Sequence, residues 1–90
     1  PMAEDDFCQA VISLYAILKD AASGVAMPGF FRFMTLLALR RMVELRRRNA
    51  LDVAIIEVGM GGRYDATNVI DSPSVCVITS LALEHVRQLG

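Results

Sequence analysis

The sequence is poor in cysteine and histidine and has no long apolar run, and each shortage excludes a class of chemistry. Its two cysteines, Cys8 and Cys76, lie far apart and form neither a metal-binding spacing nor a disulfide framework. Both sit in apolar patterns and are expected to be buried free thiols, a usage that suits a reducing compartment. No apolar stretch reaches the roughly 18 residues that a transmembrane helix needs. Residues 1–6 are acidic, unlike the basic start of a signal peptide. A net charge of −1 provides no general attraction to nucleic acid or membrane. There is no Gly-Lys-Ser/Thr phosphate loop and no GxGxxG dinucleotide spacing. Internal repeats and low-complexity linkers are absent too.

What remains is a chain of 90 residues, enough for one small domain at most. Its hydrophobic content of 54% is high for that size. A small autonomous domain needs much polar surface. The excess therefore implies faces meant for a remainder of the protein outside these residues. Five of the nine basic residues are Arg40, Arg41, Arg46, Arg47 and Arg48. A basic patch can bind phosphate or anionic lipid. The plainer reading is a solvated helix end whose cations complement the helix dipole. The cluster also lacks the interleaved aromatics of single-strand nucleic-acid binders.

Helical periodicity opens the chain. Asp5 or Asp6 caps a first helix, in which Phe7, Val11, Leu14, Leu18 and Ala21 recur at steps of three and four. Ser23-Gly24 ends it, since glycine tolerates the left-handed conformation at a helix C-terminus. Pro28 is placed to open a second helix. That helix spans about residues 30–48, with Phe30, Phe33, Met34, Leu37, Arg41 and Leu45 in register, and Asn49 closes it. The pattern then changes. Val53-Ala54-Ile55-Ile56-Glu57-Val58 reads as a strand buried on both faces of a parallel sheet. A glycine turn follows at Gly59-Met60-Gly61-Gly62. Residues 75–79 read as a second buried strand, and residues 81–89 as a loop or helix carrying His85. The predicted fold class is α/β: a parallel-sheet fragment in the order helix, helix, strand, loop, strand.

Ligands of open α/β sheets bind beyond the carboxyl ends of the strands. Glu57 and His85 both fall there. A strand-end carboxylate can hold Mg²⁺ together with water and phosphate. Alternatively, Glu57 is simply a solvated glutamate. His85 is either an ordinary surface histidine or, by its chemistry, a base or a ligand for a softer metal than magnesium. Gly59, Gly61 and Gly62 permit a sharp turn whose N–H groups can cradle an anion, or just a tight turn. Local hydrogen bonding would account for Asp65, Thr67 and Asn68.

The string from Ile56 to Ile70, Ile-Glu-Val-Gly-Met-Gly-Gly-Arg-Tyr-Asp-Ala-Thr-Asn-Val-Ile, closely resembles a signature of the folylpolyglutamate synthases, shared with the dihydrofolate synthases. Met27-Pro28-Gly29-Phe30-Phe31-Arg32-Phe33-Met34-Thr35-Leu36 is similar to the segment entering the preceding helix in that family. Thr79-Ser80-Leu81-Ala82-Leu83-Glu84-His85, with Leu89-Gly90, resembles its stretch after the second strand. Most of the chain is covered, less so before Ser23. One departure is Glu84, where the family has aspartate.

The resemblance implies a place in the central, P-loop-type domain of the Mur-ligase-like amide ligases, with residues 1–90 forming part of it. It implies an activity in which ATP phosphorylates a folate's terminal carboxylate and glutamate attacks the acyl phosphate. It further implies that Glu57 and His85 are Mg²⁺ ligands and that Gly59, Gly61 and Gly62 lie near phosphate. Folate, glutamate, ATP and the rest of the ligase are the implied partners, in cytosol and in organelles. The family's phosphate loop, modified lysine and C-terminal domain are not in these residues, so the 90 residues alone are expected to be inactive. The rival enzymes are a dihydrofolate synthase, a bifunctional enzyme and, against the Met-Pro-Gly-Phe-Phe-Arg-Phe segment, another Mur-type ligase. The rival of another class is a truncated, non-catalytic interaction module.

Overall fold

The computed structural model describes residues 2–21, 24–83 and 85–89. The chain divides into two compact units, Pro1–Ile55 and Ile56–Gly90.

The first unit is a pair of helices, α1 (Glu4–Ala21) and α2 (Phe30–Arg47). Helix α1 begins one residue before the expected aspartate caps. The Ala3 carbonyl accepts the Phe7 amide at 3.0 Å, so Glu4, Asp5 and Asp6 all lie inside the first turn. There they face the partial positive charge of the helix N-terminus, and Lys19 complements the other end. Gly24 has the positive φ expected of it, +93°. Ser23, named with it as the helix stop, lies outside the described residues.

Helix α2 starts at Phe30, as expected, with Gly29 as its N-cap, so Pro28 precedes the first turn it was expected to open. Gly29 has φ −63° and ψ 167° and contributes no side-chain bond. Its carbonyl takes the Phe33 amide at 3.0 Å. Pro28 thus stands one residue outside the helix, where its fixed φ shapes the entering chain. The other end closes as expected at Asn49, which adopts φ +54°. The Asn49 amide donates to the Arg46 carbonyl at 3.0 Å, and the Ala50 amide to the Leu45 carbonyl at 2.9 Å. These two bonds make a Schellman motif, which satisfies carbonyls that a helix end otherwise leaves unpaired.

Helix α1 packs against α2. Each contributes one buried residue, Leu14 and Leu37, from the registers read in the sequence. Burial of such a side chain is worth about 1.5–3 kcal/mol. The rest of both registers is less covered: Phe33, Met34 and Leu45 are half-buried, and Phe30 is 82% exposed. Among the described residues no helix is long and apolar enough to cross a membrane.

The chain after α2 corrects the fold class. No strand is found among the described residues, so the expected helix-helix-strand-loop-strand fragment of a parallel sheet is not formed. Residues 53–58 and 75–79, read as doubly buried strands, have no regular secondary structure. Ile55 is 90% exposed and Val77 77% exposed. The physical reason is pairing. A strand exists through the hydrogen-bond ladder it shares with a neighbour, and neither segment has such a partner here. An apolar, β-branched run records fitness for a covered sheet; it cannot supply the cover. The cysteines follow suit: Cys8 and Cys76 are free thiols as expected, but both are exposed. The remaining element is a single short turn of helix, α3 (Val86–Leu89).

Candidate functional site

Among the described residues, the side-chain hydrogen bonds of the second unit all fall in the glycine turn, and one side chain organises it. Asp65 accepts the Met60 amide through Oδ2 at 2.9 Å. Its Oδ1 accepts the Thr67 amide at 3.0 Å and the Thr67 hydroxyl at 2.6 Å. The Gly59 amide adds a smaller stabilising influence on the same carboxylate. The bond two residues onward is the Asx turn that aspartate favours in loops. Asn68 Nδ2 donates to the Arg63 carbonyl at 2.9 Å, and the Asn68 amide donates to the Asp65 carbonyl at 3.0 Å. These donors stabilise the charged carboxylate, with the Thr67 hydroxyl foremost. They hold the Asp65 pKa down to about 2.

That arrangement bears on the proposed anion cradle. The Met60 amide faces the chain's own carboxylate. The Gly62 amide donates to the Met60 carbonyl at 2.8 Å, and the Arg63 amide to the Gly61 carbonyl at 3.2 Å. Gly61 and Gly62 take φ +67° and +85°, which explains why glycines stand there.

Glu57 and His85 are both exposed. Among the described residues, no hydrogen bond or ion pair engages either side chain. His85 takes φ +50°, a left-handed conformation in which histidine is enriched relative to most residues. Magnesium takes oxygen ligands, commonly one or two carboxylates with water and phosphate. The free Glu57 carboxylate suits that donor set, whereas the His85 imidazole is a softer donor. Among the described residues no three His, Cys, Asp or Glu gather into a metal-holding group. The described residues therefore offer individual donors and not a finished metal centre. Glu84, the departure from the family pattern, lies outside the described residues.

The arginine cluster belongs to the first unit. Arg41 and Arg48 both pair with Glu44, at 2.7 and 2.9 Å. The bond from Arg41, followed by the nearby positive charges, lowers the Glu44 pKa. Arg40 reaches across to Ser13 Oγ at 3.1 Å. Arg46 and Arg47 occupy the last turn of α2, where they oppose its negative end. A groove of about 860 Å³ runs between the helices, lined in part by Asp6, Ser13, Arg40, Arg41, Arg47 and Arg48.

Comparison with known proteins bears on residues 1–90 as a whole. The chain is 43% identical over 93 residues to "Folylpolyglutamate synthase, mitochondrial" of Bos taurus, a match covering 100% of this chain and 15% of that protein. It is 42% identical over 90 residues to "Folylpolyglutamate synthase" of Arabidopsis thaliana, covering 99% of this chain and 14% of the relative. Against "Folylpolyglutamate synthase, mitochondrial" of Homo sapiens it is 38% identical over 92 residues, covering 100% of this chain and 15% of the relative.

Over its whole length, the chain is the counterpart of one segment of the folylpolyglutamate synthases.

It spans about 15% of the length of these curated relatives. No family model and no solved structure matches it. The resemblance, noted over most of the chain but less so before Ser23, thus covers residues 1–90 as a whole. The hydrogen-bonding role of Asp65, Thr67 and Asn68 was legible in their residue types. Its target was not, since Met60 precedes Asp65 by five residues across a glycine turn.

Proposed function

We propose that these residues are part of an ATP-dependent ligase that joins glutamate to the terminal carboxylate of a folate. In this reading ATP phosphorylates the folate carboxylate, and the amino group of glutamate displaces the phosphate to form an amide. Glu57 and His85 are the donors that this segment contributes to Mg²⁺, which when bound neutralises charge on the transferred phosphoryl group. Gly59, Gly61 and Gly62 lie near the phosphates. The phosphate-binding loop, the rest of the metal site and the glutamate site come from other parts of the protein. Mitochondria and cytosol are the proposed compartments, the first in line with the names of the bovine and human relatives.

The observation that carries the reading is the stretch from Glu57 to Asn68. A free, exposed carboxylate stands two residues before a glycine turn that its own side chains hold in place. The family signature runs through the same residues, and similarity to named synthases covers the chain from end to end.

The test is ADP release by the full-length protein with MgATP, tetrahydrofolate and glutamate, comparing wild type with Glu57→Gln. Release that needs all three substrates and collapses in the variant supports both the ligase and the role of Glu57. A well-folded protein with no folate-dependent release overturns the reading. Release with dihydropteroate in place of tetrahydrofolate would instead identify a dihydrofolate synthase.

A further inference from the structure

We propose that Asp65 is a positioning residue for Glu57, its carboxylate clasping the turn at Met60 and so setting the course of the backbone that leaves Glu57. The proposal rests on the reading of Glu57 as a working carboxylate of the ligase.

The turn has little else to hold it. A β-carbon added at Gly62 would meet no atom within 4 Å, so packing does not confine the backbone there. Glycines lose the most conformational freedom on ordering. Hydrogen bonds must therefore fix the shape, and the Asp65 carboxylate receives most of those made by side chains. It works from both oxygens. Oδ1 is anchored downstream by the Thr67 amide and hydroxyl, and Oδ2 holds the Met60 amide upstream. A second stay, from Asn68 to the Arg63 carbonyl, braces the far limb. Glu57 itself makes no side-chain bond among the described residues, so its direction depends on the backbone that carries it. The clasped Met60 lies three residues on from Glu57. A carboxylate that must be placed within a fraction of an ångström needs such support from neighbouring groups.

The decisive variant is Asp65→Asn. Its Oδ1 can still accept from Thr67, but its amide nitrogen cannot accept the Met60 N–H. Thr67→Val is the milder companion, because it removes the hydroxyl bond and leaves the carboxylate. Both are made in the full-length protein, with two readouts. One is amide hydrogen exchange across residues 57–62, followed without substrates. The other is the Mg²⁺ dependence of ADP release.

Asp65→Asn is expected to speed exchange at Met60 about tenfold or more while α1 and α2 exchange as in wild type. It is expected to raise the Mg²⁺ concentration for half-maximal rate more than it lowers the saturated rate. Thr67→Val should shift both in the same direction by less. Unchanged exchange at residues 57–62 overturns the clasp. Faster exchange with an unaltered Mg²⁺ dependence overturns the positioning role and leaves Asp65 a purely structural residue. If the wild type releases no folate-dependent ADP, the ligase reading fails by itself, and the exchange result still judges the clasp.

Discussion

The Asp65 carboxylate takes the Thr67 hydroxyl at 2.6 Å on one oxygen and the Met60 amide at 2.9 Å on the other, bridging the two limbs of the glycine turn. Its donors hold its pKa to about 2, below the ordinary 3.8. A carboxyl group whose folded pKa is depressed contributes stability at any pH above its unfolded value. That contribution is lost as the pH falls through the folded value. The turn is therefore expected to keep its order from neutral pH down through about pH 4, and to loosen only toward about pH 2. The Met60 and Thr67 amide chemical shifts, followed by acid titration, should move together with a midpoint at about 2. A midpoint at the ordinary carboxyl value would show that the clasp does not hold.

Asn49 closes α2 at φ +54°. A β-branched residue in that conformation is strained by about 1–2 kcal/mol. Asn49→Val should lower the thermal midpoint of helix unfolding, measured by circular dichroism. Asn49→Gly should hold or raise it, because glycine is the preferred residue at this position.

The helix pair rests on a very small core. Leu14 and Leu37 are its buried residues, at 6% and 5% exposure. Leu37→Ala is expected to cost about 2–5 kcal/mol, much of the stability of any small domain. Loss of most helical signal from the 90-residue chain at room temperature is the expected result. The exposed Ile12→Ala, at 61% exposure, should change the signal little.

Glu57→Gln and His85→Ala, each in the full-length protein, test the two proposed metal donors separately. Gln keeps the shape of Glu57 but removes its charge, so a loss of rate of about 10²-fold or more is expected if the carboxylate faces developing phosphoryl charge. His85→Ala should raise the Mg²⁺ requirement more than it lowers the saturated rate. The separated 90-residue chain is expected to bind ATP no tighter than millimolar by calorimetry, because it gathers no metal-holding group among its described residues.

Both long helices were legible in the sequence because helix signals are local. Steps of three and four placed Leu14 and Leu37 on inward faces, and Asn49 marked a stop through its own backbone preference. The starts were harder to read. Neither Asp5 nor Asp6 is the cap of α1, and Pro28 lies before the first turn it was expected to open, since a backbone carbonyl from Ala3 or Gly29 can begin a helix without a side-chain cap. The two strands were misread because a sheet is not local. Val53 to Val58 has the composition of a doubly covered strand, but no other segment pairs with it among the described residues. The expected burial of Cys8, on α1, and of Cys76 failed because burial likewise depends on partners distant in sequence.

The sequence by itself determined the helices, the glycine turn, the family likeness and the candidate donors, because each depends on residue types a few positions apart. Tertiary structure alone decided which leucines are buried and that residues 53–58 and 75–79 stay unpaired. It also decided that Asp65 reaches back to Met60. Those outcomes depend on which groups meet after the chain folds, and a hydrogen bond or a buried side chain exists only where its partner arrives.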